Sequence, residues 1–209
     1  MVLGVELTPL EKPLFDYVIK NGNIDGYQVF FNGKPFDIEL QKTKEELIAM
    51  GIRYAIGAAH ICLDLPAERQ TMDNLNDIIR DYFRQQMWLA CDERVTVLGH
   101  PWYENNTIWY EDFSVIPHSM HDELASALKQ NGKYVECNAH FFRYRKATEK
   151  FRHQYAEFMR EMFEKGVPIT YGSDSHYDYI DMREDVEKYL KEVGFKDGDI
   201  VEIDENKFW

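Results

Sequence analysis

Apolar and polar positions along the 209-residue chain follow two periods, one typical of strands and one typical of helices. Short apolar runs rich in β-branched and aromatic residues recur, and each ends at glycine, proline or a polar side chain. These runs predict strands at 2–7, 52–60, 94–100, 133–138 and 167–174, with a further edge strand near 199–204.

Segments with helical spacing lie between most of these runs. They predict helices at 43–51, 72–89, 119–132, 147–165 and 183–193. Thr43, with Glu46 three residues later and Gly51 at the end, marks both ends of the first helix. Ser119 with Asp122 predicts the N-terminal cap of the third helix.

Two segments early in the chain depart from this alternation. Pro9 and Pro13 predict a loop after the first strand. Asn32-Gly33 lies between two β-rich runs and predicts a peripheral β-hairpin. The sequence contains no repeat and no linker, so one α/β domain over 1–209 is the simplest interpretation.

Charge limits the partners of this domain. The chain has 24 basic and 37 acidic residues, a net charge of −13, which repels nucleic acid and anionic lipid. We therefore expect neither nucleic acid nor membrane as a partner, and no apolar run reaches membrane-spanning length. An anionic small substrate requires local cations to offset this field. Three scattered cysteines and no targeting segment favour a reducing, cytoplasmic location.

Ligand-type side chains stand where the predicted strands end. His60 and His100 each end a strand, Glu136 and Asn138 end another, and Glu6 lies near the end of the first. Asp174 and His176 follow the 167–174 strand and, being two residues apart, point to the same side. Because ligands bind at the carboxyl ends of strands in α/β sheets and barrels, this pattern predicts a metal site. Carboxylates with imidazoles suit Zn, Mn or Fe.

A single histidine after a strand is more often a packed or loop residue than a ligand. The prediction of a metal site therefore depends on several strands ending in ligand-type residues. For His118 and His121, which flank a helix start, we favour the structural interpretation. The same holds for His153 on a charged helix.

Five motifs, in order, resemble the later motifs of the PHP (polymerase and histidinol phosphatase) domain family. They are "GVEL" at 4–7, "GAAH" at 57–60, "LGHP" at 98–101, "VECN" at 135–138 and "YGSDSH" at 171–176. The closest likeness is to histidinol-phosphatase-type and stand-alone PHP phosphoesterases. The resemblance implies a distorted (β/α)7 barrel that holds up to three metals and hydrolyses phosphate esters.

Carried over position by position, the resemblance implies metal ligands at Glu6, His60, His100, Asp174 and His176. Glu6 matches a glutamate that bridges two metals, and His60 and His100 complete the ligands of one of them. Asp174 matches a ligand of the other bridged metal, and His176 a ligand of the third. Glu6 and Asp174 are accordingly the expected catalytic carboxylates.

A phosphate-binding role is expected for two arginines beyond the "VECN" strand. Arg143 or Arg145 has the guanidinium geometry to grip a phosphate with two hydrogen bonds. The expected substrate is a small phosphate monoester.

The family begins with an H-x-H strand, and this sequence contains no H-x-H. We therefore expect an incomplete barrel, one complete metal site and impaired hydrolysis, with the exposed sheet edge favouring a homodimer. Two alternatives stay open, a non-catalytic metal- or anion-binding protein and an amidohydrolase-like hydrolase of a non-phosphate substrate.

Overall fold

A computed structural model describes residues 3–22, 38–63, 65, 70–103, 108–143, 146–174 and 183–209. The strands are β1 (Gly4–Leu7), β2 (Leu10–Glu11), β3 (Ile38–Glu39), β4 (Tyr54–Gly57), β5 (Val95–Leu98), β6 (Tyr134–Asn138) and β7 (Ile169–Gly172). The helices are α1 (Lys12–Asn21), α2 (Lys44–Ala49), α3 (Leu75–Cys91), α4 (His118–Gln130), α5 (Ala139–Arg143), α6 (Glu149–Glu164) and α7 (Arg183–Glu192).

Five parallel strands form the central sheet, in the order β1-β4-β5-β6-β7. Glu6 of β1 pairs with Ile56 of β4, and the ladder continues past β5 where the Gly99 amide donates to the Gly57 carbonyl at 2.9 Å. Spatial order follows chain order, so right-handed crossovers place the connecting helices on one face. The contacts of α4 with both α3 and α6 agree with this. The α/β class is confirmed, and β1 and β7 are the edges of the sheet within the described residues.

Aromatic side chains fill the space between the sheet and α6. The Tyr155 ring lies edge-on to Phe141, with centroids 4.6 Å apart, and Phe113 packs edge-on to both Phe151 and Tyr155. All four of these rings are buried. Edge-to-face geometry is the favoured arrangement of such rings, so this cluster packs α6 against α5 and against the segment at Phe113.

Helix ends agree with the sequence where a cap is complete. Thr43 and Glu46 form both hydrogen bonds of a capping box at α2. The Thr148 hydroxyl accepts from the Phe151 amide at 3.1 Å, which begins α6. At α4 the predicted cap is wrong, because Pro117 is the N-cap residue and Ser119 lies inside the first turn.

The loop predicted around Pro9 and Pro13 is in part a helix. Pro13 lies in the first turn of α1, where a missing backbone N–H leaves no hydrogen bond unmade, and Gly22 ends the helix with φ +78°. The side chain of Leu14 is buried. Proline thus begins this helix and does not prevent it.

The remaining peripheral predictions have different outcomes. The hairpin at Asn32-Gly33 lies outside the described residues, and the adjoining β3 pairs antiparallel with β2. The predicted edge strand at 199–204 is reduced to one bridge, between Ile200 and Ile169 of β7. Beyond it the chain crosses the amino ends of the strands, because the Asp204 amide donates to the Tyr134 hydroxyl at 3.0 Å and Phe208 stacks on Tyr54.

No helix in the described ranges is long and apolar enough to cross a membrane.

Candidate metal centre

Three ligand-type side chains meet at the carboxyl edge of the sheet. Glu6 lies in β1, His60 follows β4, and His100 follows β5. These three strands are neighbours in the sheet, so their ends bring together residues that are far apart in the chain. The structure therefore assembles three of the five predicted ligands, and their role as ligands stays a prediction.

The separations of the donor atoms suit a small cation. His60 Nε2 lies 3.1 Å from Glu6 Oε1 and 3.2 Å from His100 Nε2, and His100 Nε2 lies 3.9 Å from Glu6 Oε2. Donor atoms about 2.0–2.2 Å from a tetrahedral zinc ion lie about 3.3–3.6 Å from one another. Two imidazole nitrogens and a carboxylate oxygen at these distances fit Zn, Fe or Mn with little movement.

Thr8 orients one of the imidazoles. Its hydroxyl oxygen lies 2.8 Å from His60 Nδ1, which leaves His60 Nε2 directed at the other two side chains. A hydrogen bond to the second ring nitrogen of a ligating histidine selects the tautomer and the ring orientation. Thr8 was not among the predicted site residues. Its position directly after β1 is the only feature of the sequence that indicates a role at the site.

His100 is the buried member of the trio of candidate ligands, Glu6, His60 and His100. Its exposed fraction is 2%, against 32% and 40% for the side chains of His60 and Glu6. Burial and the nearby His60 lower the pKa of His100 to about 4, against the attraction of the Glu6 and Asp174 carboxylates. Its imidazole is therefore neutral at neutral pH, which is the form that binds metal.

Glu136 supports His100 from the neighbouring strand. Its Oε2 accepts from the His100 amide at 2.7 Å and from Asn138 Nδ2 at 3.2 Å. Burial raises the pKa of Glu136 to about 7, and the carboxylates of Asp174 and Glu6 act in the same direction. The sequence signal for this buried group was an acidic residue next to Val135 and Cys137 in a buried strand. Glu136 positions His100 through its backbone amide.

Gly172 makes room for that carboxyl group. A Cβ at this position would lie 1.7 Å from Glu136 Oε1, a separation that no real side chain tolerates. Glycine is therefore required here by the close approach of β7 to Glu136, and the glycine of the "YGSDSH" motif has a packing role.

Asp174 lies beyond β7 in an unusual backbone conformation. Its φ is +51°, and the other described non-glycine residues with positive φ are His100 at +24° and Trp102 at +64°. Such conformations persist where the surrounding structure enforces them, often at functional sites. The Asp174 carboxylate is close enough to act on the pKa values of both His100 and Glu136, so it belongs to this region of the fold.

The other predicted site residues are less informative. His176 and Arg145 lie outside the described residues. Arg143, at the end of α5, pairs with the α7 side chain of Asp185, with Nε 3.3 Å from Oδ2. Its phosphate-binding role stays a prediction.

Aromatic rings form one wall of the centre. The Tyr103 ring centroid lies 5.0 Å from that of His100 and 6.1 Å from that of His60. A cavity of about 540 Å³ lies elsewhere, between β7, α7 and the C-terminal tail, and none of the trio lines it. The trio, in contrast, brings its donor atoms together at the carboxyl ends of three neighbouring strands, which is where we predicted a metal site.

The fold and the centre together define the class of protein, an α/β protein with a metal-type centre at the carboxyl ends of parallel strands. The resemblance to the histidinol-phosphatase-type PHP phosphoesterases is confirmed by two comparisons with known proteins. No protein-family model matches the sequence.

In sequence, a 73-residue segment is 42% identical to a protein named probable phosphatase from Acetivibrio thermocellus, covering 34% of this chain and 29% of that protein. In structure, the chain is similar to a histidinol phosphate phosphatase from Lactococcus lactis crystallised with zinc, L-histidinol and phosphate. The TM-score is 0.60 at 19% identity, covering 78% of this chain and 65% of that one. At this identity the structural likeness shows the fold alone, and the chain spans less than two thirds of either protein.

Proposed function

We propose that the protein is a metal-dependent phosphoesterase that hydrolyses a small phosphate monoester. The observation that carries this proposal is the convergence of Glu6, His60 and His100 at the carboxyl edge of a PHP-like sheet. The names of the two similar proteins, a probable phosphatase and a histidinol phosphate phosphatase, support the reaction class.

We assign the binding of one divalent cation, Zn, Mn or Fe, to the trio. Such a cation would neutralise phosphate oxygens and lower the pKa of a bound water. This answers the difficulty raised by the net charge of −13, because an anionic substrate needs a local positive charge to approach this protein.

The chain's own residues have separate parts in this proposal. Thr8 holds the imidazole of His60, and Glu136 holds the backbone amide of His100. Glu6 is the most exposed of the three and faces the substrate side. We assign Asp174 one of two roles: a carboxylate oxygen accepts the proton of the attacking water, or it binds a second cation. We assign His176 the role of a further metal ligand.

We further propose that the five-stranded sheet is part of a (β/α)7 barrel and that hydrolysis is weak without an H-x-H strand. A homodimer through β1 belongs to the same proposal, because Leu3 beside this edge is 52% exposed. Light scattering at high micromolar concentration should give twice the mass of the chain, and a monomer there contradicts the pairing.

A second candidate is a non-catalytic metal- and anion-binding protein. The observation that favours it is that, at the sheet edge, the described residues assemble one three-residue ligand group, Glu6, His60 and His100. Such a protein would bind metal and inorganic phosphate at the trio without releasing phosphate from an ester.

Hydrolysis of p-nitrophenyl phosphate and of L-histidinol phosphate tests the proposal, after chelation and reloading with Zn or Mn. We expect phosphate release that depends on added metal and is absent after chelation. Metal uptake without release from either ester supports the second candidate. Hydrolysis of p-nitrophenyl acetate with neither phosphate ester cleaved supports the amidohydrolase-like alternative.

A further inference from the structure

A second cluster of ligand-type side chains lies between two helices, apart from the trio. His118 and His121 are in the first turn of α4, and Glu161 is near the end of α6. His118 Nδ1 lies 3.1 Å from Glu161 Oε1, and His121 Nδ1 lies 3.4 Å from Glu161 Oε2. The cluster shares no residue with the candidate centre at the sheet edge.

The arrangement has the geometry of a metal site. Histidines three residues apart on a helix lie on one face, so α4 presents two imidazoles to the same point. One donor atom from each of the three residues lies within 4.8 Å of the other two. The two nitrogen–oxygen separations of 3.1 and 3.4 Å are close to the roughly 3.3–3.6 Å between ligands of a tetrahedral zinc ion.

His121 is the feature that an ordinary ion pair does not explain. It is 3% exposed, and neither ring nitrogen makes a hydrogen bond within the described part of the chain. Although Nδ1 lies 3.4 Å from Glu161, the direction is unsuitable for a hydrogen bond. A buried polar group without a hydrogen bond destabilises the folded state, and a metal bond would remove that cost.

Aromatic rings bury the His121 imidazole and influence its protonation state. Phe158 and Phe113 pack against His121 with ring centroids 4.6 and 5.6 Å away. Burial among these rings, with His118 nearby, lowers the pKa of His121 to about 4. The imidazole is thus neutral at neutral pH and offers a lone pair to a cation.

The surroundings leave room for an ion and a further ligand. A cavity of about 70 Å³ is lined by the three residues and by Glu157, which is exposed and one turn before Glu161 on α6. His118 reaches the cluster from solvent, with 76% of its side chain exposed. A cation can therefore enter from the surface and complete its coordination with water or Glu157.

We propose that His118, His121 and Glu161 form a second metal site, which binds Zn²⁺ or a similar divalent transition cation and joins α4 to α6. Two imidazoles and one carboxylate are a donor set that zinc takes in proteins. The ion would add a bond between two helices that are already joined by the ion pair of Asp122 with Lys165, so it would stabilise their packing.

Zinc titration of chelated protein against a chromogenic chelator tests the site. The double variant H118A/E161Q changes two partly or largely exposed side chains, neither of which belongs to the trio. Relative to the wild type, it should lose one zinc equivalent or bind that equivalent at least about tenfold more weakly. Its phosphatase activity per molecule should stay unchanged.

H153A is the matched control, because His153 also lies on a helix and pairs with a glutamate, Glu192, outside the cluster. It should retain every zinc equivalent of the wild type. The single variant E161Q provides a second test if the double variant unfolds, and circular dichroism of the apo proteins checks the fold.

A separate measurement isolates this site from the trio. In H100N protein, zinc should still raise the thermal midpoint, and adding H118A to H100N should remove that rise. If H118A/E161Q binds zinc as the wild type does, or if zinc stabilises H100N/H118A as it stabilises H100N, the second site is refuted. A failure of this kind leaves the proposed function untouched, because that proposal depends on the trio alone.

Discussion

Replacing His100 by asparagine is expected to remove most of the metal from the trio and to lower kcat/KM for a phosphate monoester by about 10³-fold or more. His100 is the most buried of the three candidate ligands, and its imidazole supplies one of only three donor atoms in the trio. Asparagine tolerates the positive φ of this position better than most residues, which keeps the backbone amide on Glu136. The loss of metal and of kcat/KM therefore measures the contribution of the imidazole itself.

Elemental analysis of protein purified without chelator, together with phosphate release, measures both effects. H153A is the control for removal of a surface histidine and should match the wild type. Thr8→Val keeps all three candidate ligands and removes only the hydroxyl at His60 Nδ1, so metal affinity should fall by about 10–100-fold. Equal metal content and turnover in H100N and wild type would mean that the trio is not the site.

Gly172→Ala is expected to destabilise the protein by about 3 kcal/mol, lowering the thermal midpoint by about 6–12 °C, and to weaken metal binding. The new Cβ would lie 1.7 Å from Glu136 Oε1 and 2.5 Å from its Cδ. The Glu136 carboxyl group must move, and the His100 amide then loses its acceptor. A change on β7 thereby reaches the imidazole of the candidate centre.

Gly194→Ala is the matched control for adding a methyl group. No atom lies within 4 Å of its Cβ, and its φ of +91° accounts for a loss of about 1–2 kcal/mol without any change in metal affinity. A double-mutant cycle with Glu136→Ala identifies the clash, because Gly172→Ala should add little once the Glu136 side chain is gone. Additive effects in that cycle, or a wild-type midpoint for Gly172→Ala, would show that the contact is unimportant.

Much of the sheet could be predicted because its strands carry strong local signals. Buried parallel strands appear as continuous apolar runs, and β4, β5, β6 and β7 all lie within predicted segments. Caps with complete side-chain chemistry, such as Thr43 with Glu46, were likewise confirmed. The predicted cap at Ser119 failed because the helix begins after Pro117, two residues earlier. The predicted edge strand in the tail failed because the tail bonds to Tyr134, far away in the chain.

The sequence predicted which residue types make up the candidate centre, but it predicted their arrangement only in part. Strand-end histidines and carboxylates are visible in the sequence, since strand ends follow from the hydrophobic pattern. The contacts that hold these residues are not visible, because the Thr8 hydroxyl bonds the His60 ring across 52 residues of chain and Glu136 bonds the His100 amide across 36. The same holds for His118 and His121, which the sequence presents as ordinary residues at a helix start.

Local residue types were thus sufficient to establish the α/β class, the strand ends and the donor chemistry of Glu6, His60 and His100, because hydrophobic period and ligand chemistry are short-range properties. The folded arrangement decided how close those donors come, how burial lowers the pKa of His100, and why position 172 must be glycine. It also brought Glu161 to His118 and His121 from another helix. These features depend on packing between distant segments, and a pattern along one chain does not contain the distances that packing creates.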